Sequence, residues 1–125
     1  MKLVAAVPTF RDGVAGGESL PLATDDDVTR LLELLSRDDS DTASIQGIDV
    51  VLSAHIQHGY GYLLYAGPDG YVASHGDPAS PAIESESGFP AGSGLALDTF
   101  TEAIREFTHT GRLPEAVPWR DVGAT

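Results

Sequence analysis

Four histidines are the first side chains in this sequence that could do chemistry. His55 and His58 stand three apart in "HIQHGYG", and His75 follows one hairpin later. Three imidazoles make a metal-ligand set or an acid–base relay. A small metal-dependent enzyme or metal-binding domain using His55, His58 and His75 is therefore one reading. Residues i and i+3 share a face of a helix but point to opposite faces of a strand. On a strand, His55 and His58 converge only if a bulge at Gly59 shifts the register. No H-E-x-x-H run occurs, and the nearest acids are not at ligand spacing. His109 falls in the last turn of a predicted helix, where a histidine interacts with the helix dipole.

Other catalytic patterns fail sooner. There is no cysteine, hence no thiolate nucleophile or thiolate metal site. "AGSGLA" at 91–96 lacks the G-x-S-x-G elbow and has no apolar strand leading into it. "VAGGESL" lacks the Gly-Lys-Ser/Thr end of a phosphate loop. Glu84 and Glu86 would serve as a carboxylate pair, but nothing marks them beyond the solvation of a polar loop. The expectation is a protein without catalytic residues, metal or cofactor.

The acids themselves carry more information. Nineteen acidic and 7 basic residues give a net charge of −12, which repels nucleic-acid phosphates and anionic lipid and attracts a basic protein. Asp25, Asp26, Asp27, Asp38, Asp39 and Asp41 bracket the first predicted helix, and Glu84 and Glu86 lie in a long loop. Helix capping accounts for the first three. A binding account lets all eight acids steer a basic partner, a device that raises association rates by roughly 10–1000-fold and weakens with salt. Tyr60 and Tyr62 are the candidate anchors beside them, since tyrosine is enriched at binding hot spots.

These groups must be placed by the elements between the breakers. Residues 3–10, "LVAAVPTF", read as a strand with Pro8 near its end or on an edge, and 11–23, "RDGVAGGESLPLA", as a loop or loose hairpin. "TDDDVTRLLELLSR" predicts a helix. Thr24 or Asp25 caps it, Val28, Leu31, Leu32 and Leu35 form its buried stripe, and Arg37 sits near its last turn. "ASIQGIDVVLSA" alternates at Ile48, Val50 and Leu52 and reads as one strand. "HIQHGYGYLLYAG" reads as the next, with Tyr60, Tyr62 and Leu64 on one face and Leu63 and Tyr65 on the other; Gly59 and Gly61 suggest a bulge or a close backbone approach. A tight Asp69-Gly70 turn leads to a third strand of this meander. Residues 76–94 read as a long exposed loop with a short strand around Ile83. The second helix, "DTFTEAIREFTHT", takes Asp98 as N-cap and stops at Gly111.

The expected fold is α+β: one domain over 1–125, an antiparallel sheet of about four to five strands, and two helices packed on one face. The apolar start is too short and too interrupted by Pro8 for a signal peptide, and no run approaches the roughly 18 apolar residues of a membrane span. With the absence of cysteine, this points to the cytoplasm.

"GYGYLLYAGPDGYVASHGD", followed after a loop by "ALDTFTEAIREFTHTGRLPEAVPWRDV", resembles the immunity proteins of bacterial polymorphic toxin systems. The likeness is to the family encoded beside deaminase-type toxins, including relatives of the double-stranded DNA cytosine deaminase toxin. It covers roughly residues 45–122, and its tail pattern stands here as Gly111, Arg112, Pro114 and Trp119. The resemblance implies a non-enzymatic antidote made in the cytoplasm of the toxin producer. It would bind its cognate toxin and block the toxin's basic, nucleic-acid-handling face, with no direct contact to nucleic acid or membrane. The Ala-, Gly- and Asp-rich composition, with six arginines to one lysine, fits a high-GC, actinobacteria-like genome. A structural adaptor subunit with a permanent partner is the remaining alternative.

Overall fold

The computed structural model describes residues 3–11, 13–37, 42–68, 70–83 and 88–121. Strands β1 (Leu3–Arg11) and β2 (Val14–Leu22) form an antiparallel hairpin paired along their whole length. The segment read as a loop or loose hairpin is thus a nine-residue strand. Its glycines and Pro21 are tolerated because β2 lies at the margin of the sheet, where one side of its backbone has no partner strand among the described residues.

Helix α1 (Asp25–Leu35) starts as its sequence dictates. Thr24 is the N-cap: its Oγ1 accepts from the Asp27 amide at 3.2 Å, while Asp27 Oδ2 accepts from the amides of Thr24 (3.1 Å) and Ala23 (2.9 Å). These bonds occupy first-turn donors that the helix itself cannot pair. Val28, Leu31 and Leu35 are buried, with Leu32 packed beside them. The helix ends at Leu35, so Arg37 lies beyond the last turn, which carries no basic residue.

The stretch read as one strand over 43–54 is two: β3 (Ala43–Gln46) and the first half of β4 (Val51–Gln57). Between them the chain reverses. Gly47 N–H donates to Val50 O at 3.0 Å, Asp49 takes a left-handed φ of 60°, and Ile48 is 76% exposed. Apolar alternation runs unbroken through this turn, so period alone does not reveal it. The next boundary also moves: 55–57 complete β4, and His58 and Gly59, both left-handed at φ 57° and 79°, form the two-residue turn into β5 (Tyr60–Gly67). Strand β6 (Gly70–Ser74) then pairs antiparallel with β5; Asp69 of the expected turn lies outside the described residues.

Helix α2 (Leu97–Thr110) has Ala96 as N-cap with no side-chain cap, so Asp98 stands in the first turn rather than at the cap position. Its end is the expected one: Gly111 at φ 67° donates its N–H to Phe107 O at 2.8 Å. The tail returns as β7 (Trp119–Asp121) on the free side of β6. The sheet is antiparallel in every pairing, in the order β2-β1-β3-β4-β5-β6-β7, seven strands rather than four to five. The additional strands are the glycine-rich edge β2, the three-residue β7, and the one gained where the stretch 43–54 divides into β3 and the start of β4, while Ile83 forms an isolated bridge outside the sheet.

Both helices pack on one face of this sheet. Leu3, Ala5, Leu20, Ile45, Leu52, Leu63 and Tyr65 meet Leu31, Phe100, Ile104 and Phe107 in the main core. The opposite face has its own cluster of Tyr62, Leu64, Ala73, Ile83 and Phe89. Residues read as an exposed loop therefore contribute a cover to the second face: Ile83 and Phe89 are buried and exchange both backbone hydrogen bonds, at 2.9 and 3.0 Å. The close approach expected at Gly61 is real, since a Cβ there would lie 2.2 Å from Phe100 Cγ.

Candidate functional site

The candidate side chains fall into three places. At the start of α1, Asp27 is engaged in the capping box. The N–H of Ala23, and behind it those of Thr24, hold its carboxyl below the usual carboxylate range. Asp25 and Asp26 are exposed, and Asp25 Oδ1 lies 3.4 Å from Nε2 of His109. The beginning of α1 therefore adjoins the end of α2. Elsewhere on the two helices Glu33, Asp98 and Glu102 are exposed and Glu106 is half-buried, with Arg30 exposed and Arg105 half-buried. Arg105 is turned onto Glu102 at 2.9 Å. Exposed carboxylates thus outnumber exposed arginines on the two helices. On the other face of the sheet, the described side chains of β1 to β4 (among them Val4, Ala6, Ser19, Ser44, Gln46 and Ser53) include no carboxylate. Asp38, Asp39, Asp41, Glu84 and Glu86 lie outside the described residues.

The capping box is testable by itself. Thr24→Ala should cost about 1 kcal/mol of stability. Asp27→Asn should lower the melting temperature at pH 7. A carboxyl whose folded pKa is depressed stabilises above its unfolded value of about 4 and loses that effect as pH falls through the lower folded value. The gap between Asp27→Asn and wild type should accordingly close in melts taken below pH about 4. A gap that stayed constant down to that range would place its origin elsewhere.

At the second place, the tyrosines separate. Tyr62 is fully buried and donates its hydroxyl to Pro81 O at 2.9 Å; burial, with Tyr60 alongside, pushes its phenol upward. A side chain so enclosed offers no surface to a partner, and Tyr62 instead supports the segment that covers the second face. Tyr60 is half-buried and donates to Asp77 Oδ2 at 3.0 Å, a bond that raises its pKa. Only Tyr60 keeps an accessible edge.

The histidines form a hydrogen-bonded row, not a ligand set. Thr42 Oγ1 is 3.2 Å from His55 Nδ1, His55 Nε2 is 2.8 Å from Gln57 Oε1, and Gln57 Nε2 is 3.2 Å from His58 Nε2. These contacts occupy both ring nitrogens of His55 with protein partners. His75 stands apart beyond β6, on the far side of β5. Among the described residues no group of three or more His, Asp or Glu is arranged to hold a metal ion.

The third place is the tail. Glu106 reaches across it, accepting from the amides of Glu115 (2.6 Å) and Ala116 (3.0 Å). Pro114 is buried, and its carbonyl accepts from Trp119 Nε1 at 2.6 Å. Trp119 is half-buried against Tyr65, with ring centroids 6.3 Å apart, while Arg112 is exposed. Sequence reading missed the contribution of Glu106, which no motif marks. It also missed Arg120, which donates to Ala91 O at 2.8 Å and ties the tail to the covering segment.

No helix among the described residues is long and apolar enough to cross a membrane. Residues 16–121 match the family described as "Immunity protein Imm1"; the match begins inside β2, leaving β1 outside it. No curated protein matches the chain.

Proposed function

Because the chain belongs to the Imm1 immunity protein family, and an immunity protein neutralises a toxin, we propose that it is the non-enzymatic antidote of a cognate nucleic-acid-targeting toxin of the deaminase class. It occupies that toxin's basic active-site face from the cytoplasm of the producing cell. The observation that carries this reading beyond the family is the charge of the helix layer. Asp25, Asp26, Glu33, Asp98 and Glu102 are exposed there in a protein of net charge −12.

An enzyme that grips a polyanion presents positive charge where the substrate lies, and an acidic domain of this size competes for that surface. Nothing catalytic is required of such a binder. Of the acids proposed from sequence, Asp25 and Asp26 have the exposure the role needs. Asp27 is committed to the cap, and its contribution is to hold α1 in place. Tyr60, oriented by Asp77, belongs with the opposite face of the sheet and is a separate candidate contact of mixed polarity.

The experiment is association with the toxin domain encoded by the neighbouring gene, together with protection on co-expression. Binding should weaken as salt rises. Reversing Asp26 and Glu102 to lysine should slow association by about tenfold or more, compared at a temperature where the variant is still folded. A pair that fails to associate at low salt, with no protection in the cell, would remove the reading. Unchanged association by the charge-reversed protein would leave the antidote role standing and move the contact surface away from the helices.

A further inference from the structure

The two margins of the sheet are unequal. One is closed by β7, only three residues long, and short edges resist adding another strand. The other is β2, nine residues long, with positions 14–19 all exposed and Glu18 as its single charged side chain. An extended backbone of that length, almost uncharged, presents a row of unpaired amides and carbonyls to any strand that fits. From this geometry we infer that β2 pairs antiparallel with β2 of a second copy of the chain, in the register centred on Gly17. Two seven-stranded sheets thereby join into one.

The phase of the outward-facing groups comes from Pro8. It lies opposite Gly17 in the β1–β2 ladder. Proline has no N–H, so this pair does not exchange two ladder bonds and occupies a non-bonded position. Gly17 therefore turns its own amide and carbonyl away from β1, toward the open margin, and Ala15 and Ser19 do the same two residues to either side. Pro21 stands next in that phase and has no hydrogen to donate. The margin thus offers three N–H donors, on Ala15, Gly17 and Ser19.

Only one two-fold register uses them well. Pleating excludes registers that set an odd residue against an even one, because facing side chains must share a face. Centring on Glu18 puts two carboxylates directly opposite each other and draws Pro21 into the ladder. A centre at Gly16 sets exposed Val14 against Glu18. Centring on Gly17 pairs Gly17 with its own copy and Ala15 with Ser19, satisfying all three donors in both chains. Glu18 then faces Gly16, which has no side chain, and Val14 faces Leu20 on the helix side of the sheet. Val14 is 66% exposed in the single chain, and Leu20 is buried at the rim of the core. The pairing covers the most exposed apolar side chain of β2 with a margin already apolar.

Charge favours a second copy over the basic partner of the helix layer. The groove of about 290 Å³ beside β2 is lined by Glu18, Glu33, Arg30, Arg37 and Leu34, two acids and two bases. This margin is locally balanced in a chain of net charge −12, so two copies can meet here without setting carboxylate rows against each other. Repulsion between the remaining charges still opposes the pairing, and salt screens it. Self-association should therefore strengthen as salt rises, opposite to the behaviour expected of toxin binding.

The test combines sedimentation with residue-resolved hydrogen exchange on the intact chain. Mass should rise from 13.1 kDa toward twice that value with concentration, and more readily in about 0.5 M salt. The amides of Ala15, Gly17 and Ser19 should exchange about tenfold more slowly in concentrated than in dilute protein. Those of Gly16 and Glu18, bonded to β1, should not change. Val14→Asp should weaken association at least about tenfold without moving the melting point of the dilute protein, and Glu18→Gln should strengthen it. A chain that stays monomeric at millimolar concentration in high salt overturns the inference. So does slowing of the same three amides only when toxin is added, which assigns the margin to the toxin instead.

Discussion

Gly61→Ala is expected to destabilise the fold by about 2–3 kcal/mol, the upper part of the range for one added methyl in a packed core. The cause is local. A Cβ at this position would stand 2.2 and 2.3 Å from Cγ and Cδ1 of Phe100 and 2.7 Å from its Cβ. Because the Phe100 Cβ is itself in the way, rotating the ring gives no relief. The strand cannot retreat either: Gly61 exchanges hydrogen bonds with Leu95 at 3.0 and 2.7 Å, just before α2 begins. The φ of Gly61 is not positive, so alanine pays nothing in backbone conformation and the effect reports the contact alone. Phe100→Ala should cost about 3–5 kcal/mol through the cavity it leaves. In the double variant the new methyl enters that cavity, and the combined loss should fall short of the sum by about 1 kcal/mol or more. Urea unfolding of the four proteins checks this. Strict additivity would mean that Gly61 and Phe100 do not press on each other.

The same strand shows how far the sequence could be read. α1 was legible because everything that defines it is local: Thr24 and Asp27 at the cap, and Val28, Leu31 and Leu35 at helical spacing. The end of α2 was legible for the same reason, since a glycine in the left-handed region is a single-residue signal. β2 and β7 were not, because glycine-rich or three-residue strands exist only through pairing with partners elsewhere in the chain. The turn at Gly47–Val50 was hidden by an alternation that continues across it. The cover over the second face was recoverable in principle. β5 is apolar on both sides, Leu63 and Tyr65 on one and Tyr62 and Leu64 on the other, and a strand of that kind needs both faces covered. Two helices on one face leave Tyr62 and Leu64 bare, so the Ser- and Pro-rich segment had to supply the missing layer. The candidate site followed the same division. Charge placed acids around α1, but composition does not separate Asp27, which closes a cap, from Asp26, which faces solvent. Nor does alternation alone say which tyrosine face lies under the cover.

Trp119→Ala is the second large loss expected, about 2–4 kcal/mol, somewhat below the range for a fully buried aromatic because the ring is half-buried. Three attachments meet at this residue. Its ring lies against Tyr65 and the main core, its Nε1–H donates to Pro114 O at 2.6 Å, and its backbone begins β7 opposite Ser74. The neighbouring carbonyl of Pro118 accepts from His75 N–H at 2.9 Å, and Arg120 reaches Ala91 O. Truncating the ring should therefore loosen β7 as well as the core, and the His75 amide should exchange faster than in wild type well below the melting temperature. Trp119→Phe keeps an aromatic face on Tyr65 and loses the indole donor, so it should recover all but about 1 kcal/mol. If both variants lose stability equally, the hydrogen bond rather than the packing holds the tail. An unchanged melting temperature for Trp119→Ala would deny the clasp altogether. Below its melting temperature Trp119→Ala should still bind the toxin with wild-type affinity, because the ring faces the core while the exposed carboxylates of the helices stay intact. A loss of affinity in fully folded Trp119→Ala would make the tryptophan a toxin contact and not only the fastening of the last strand.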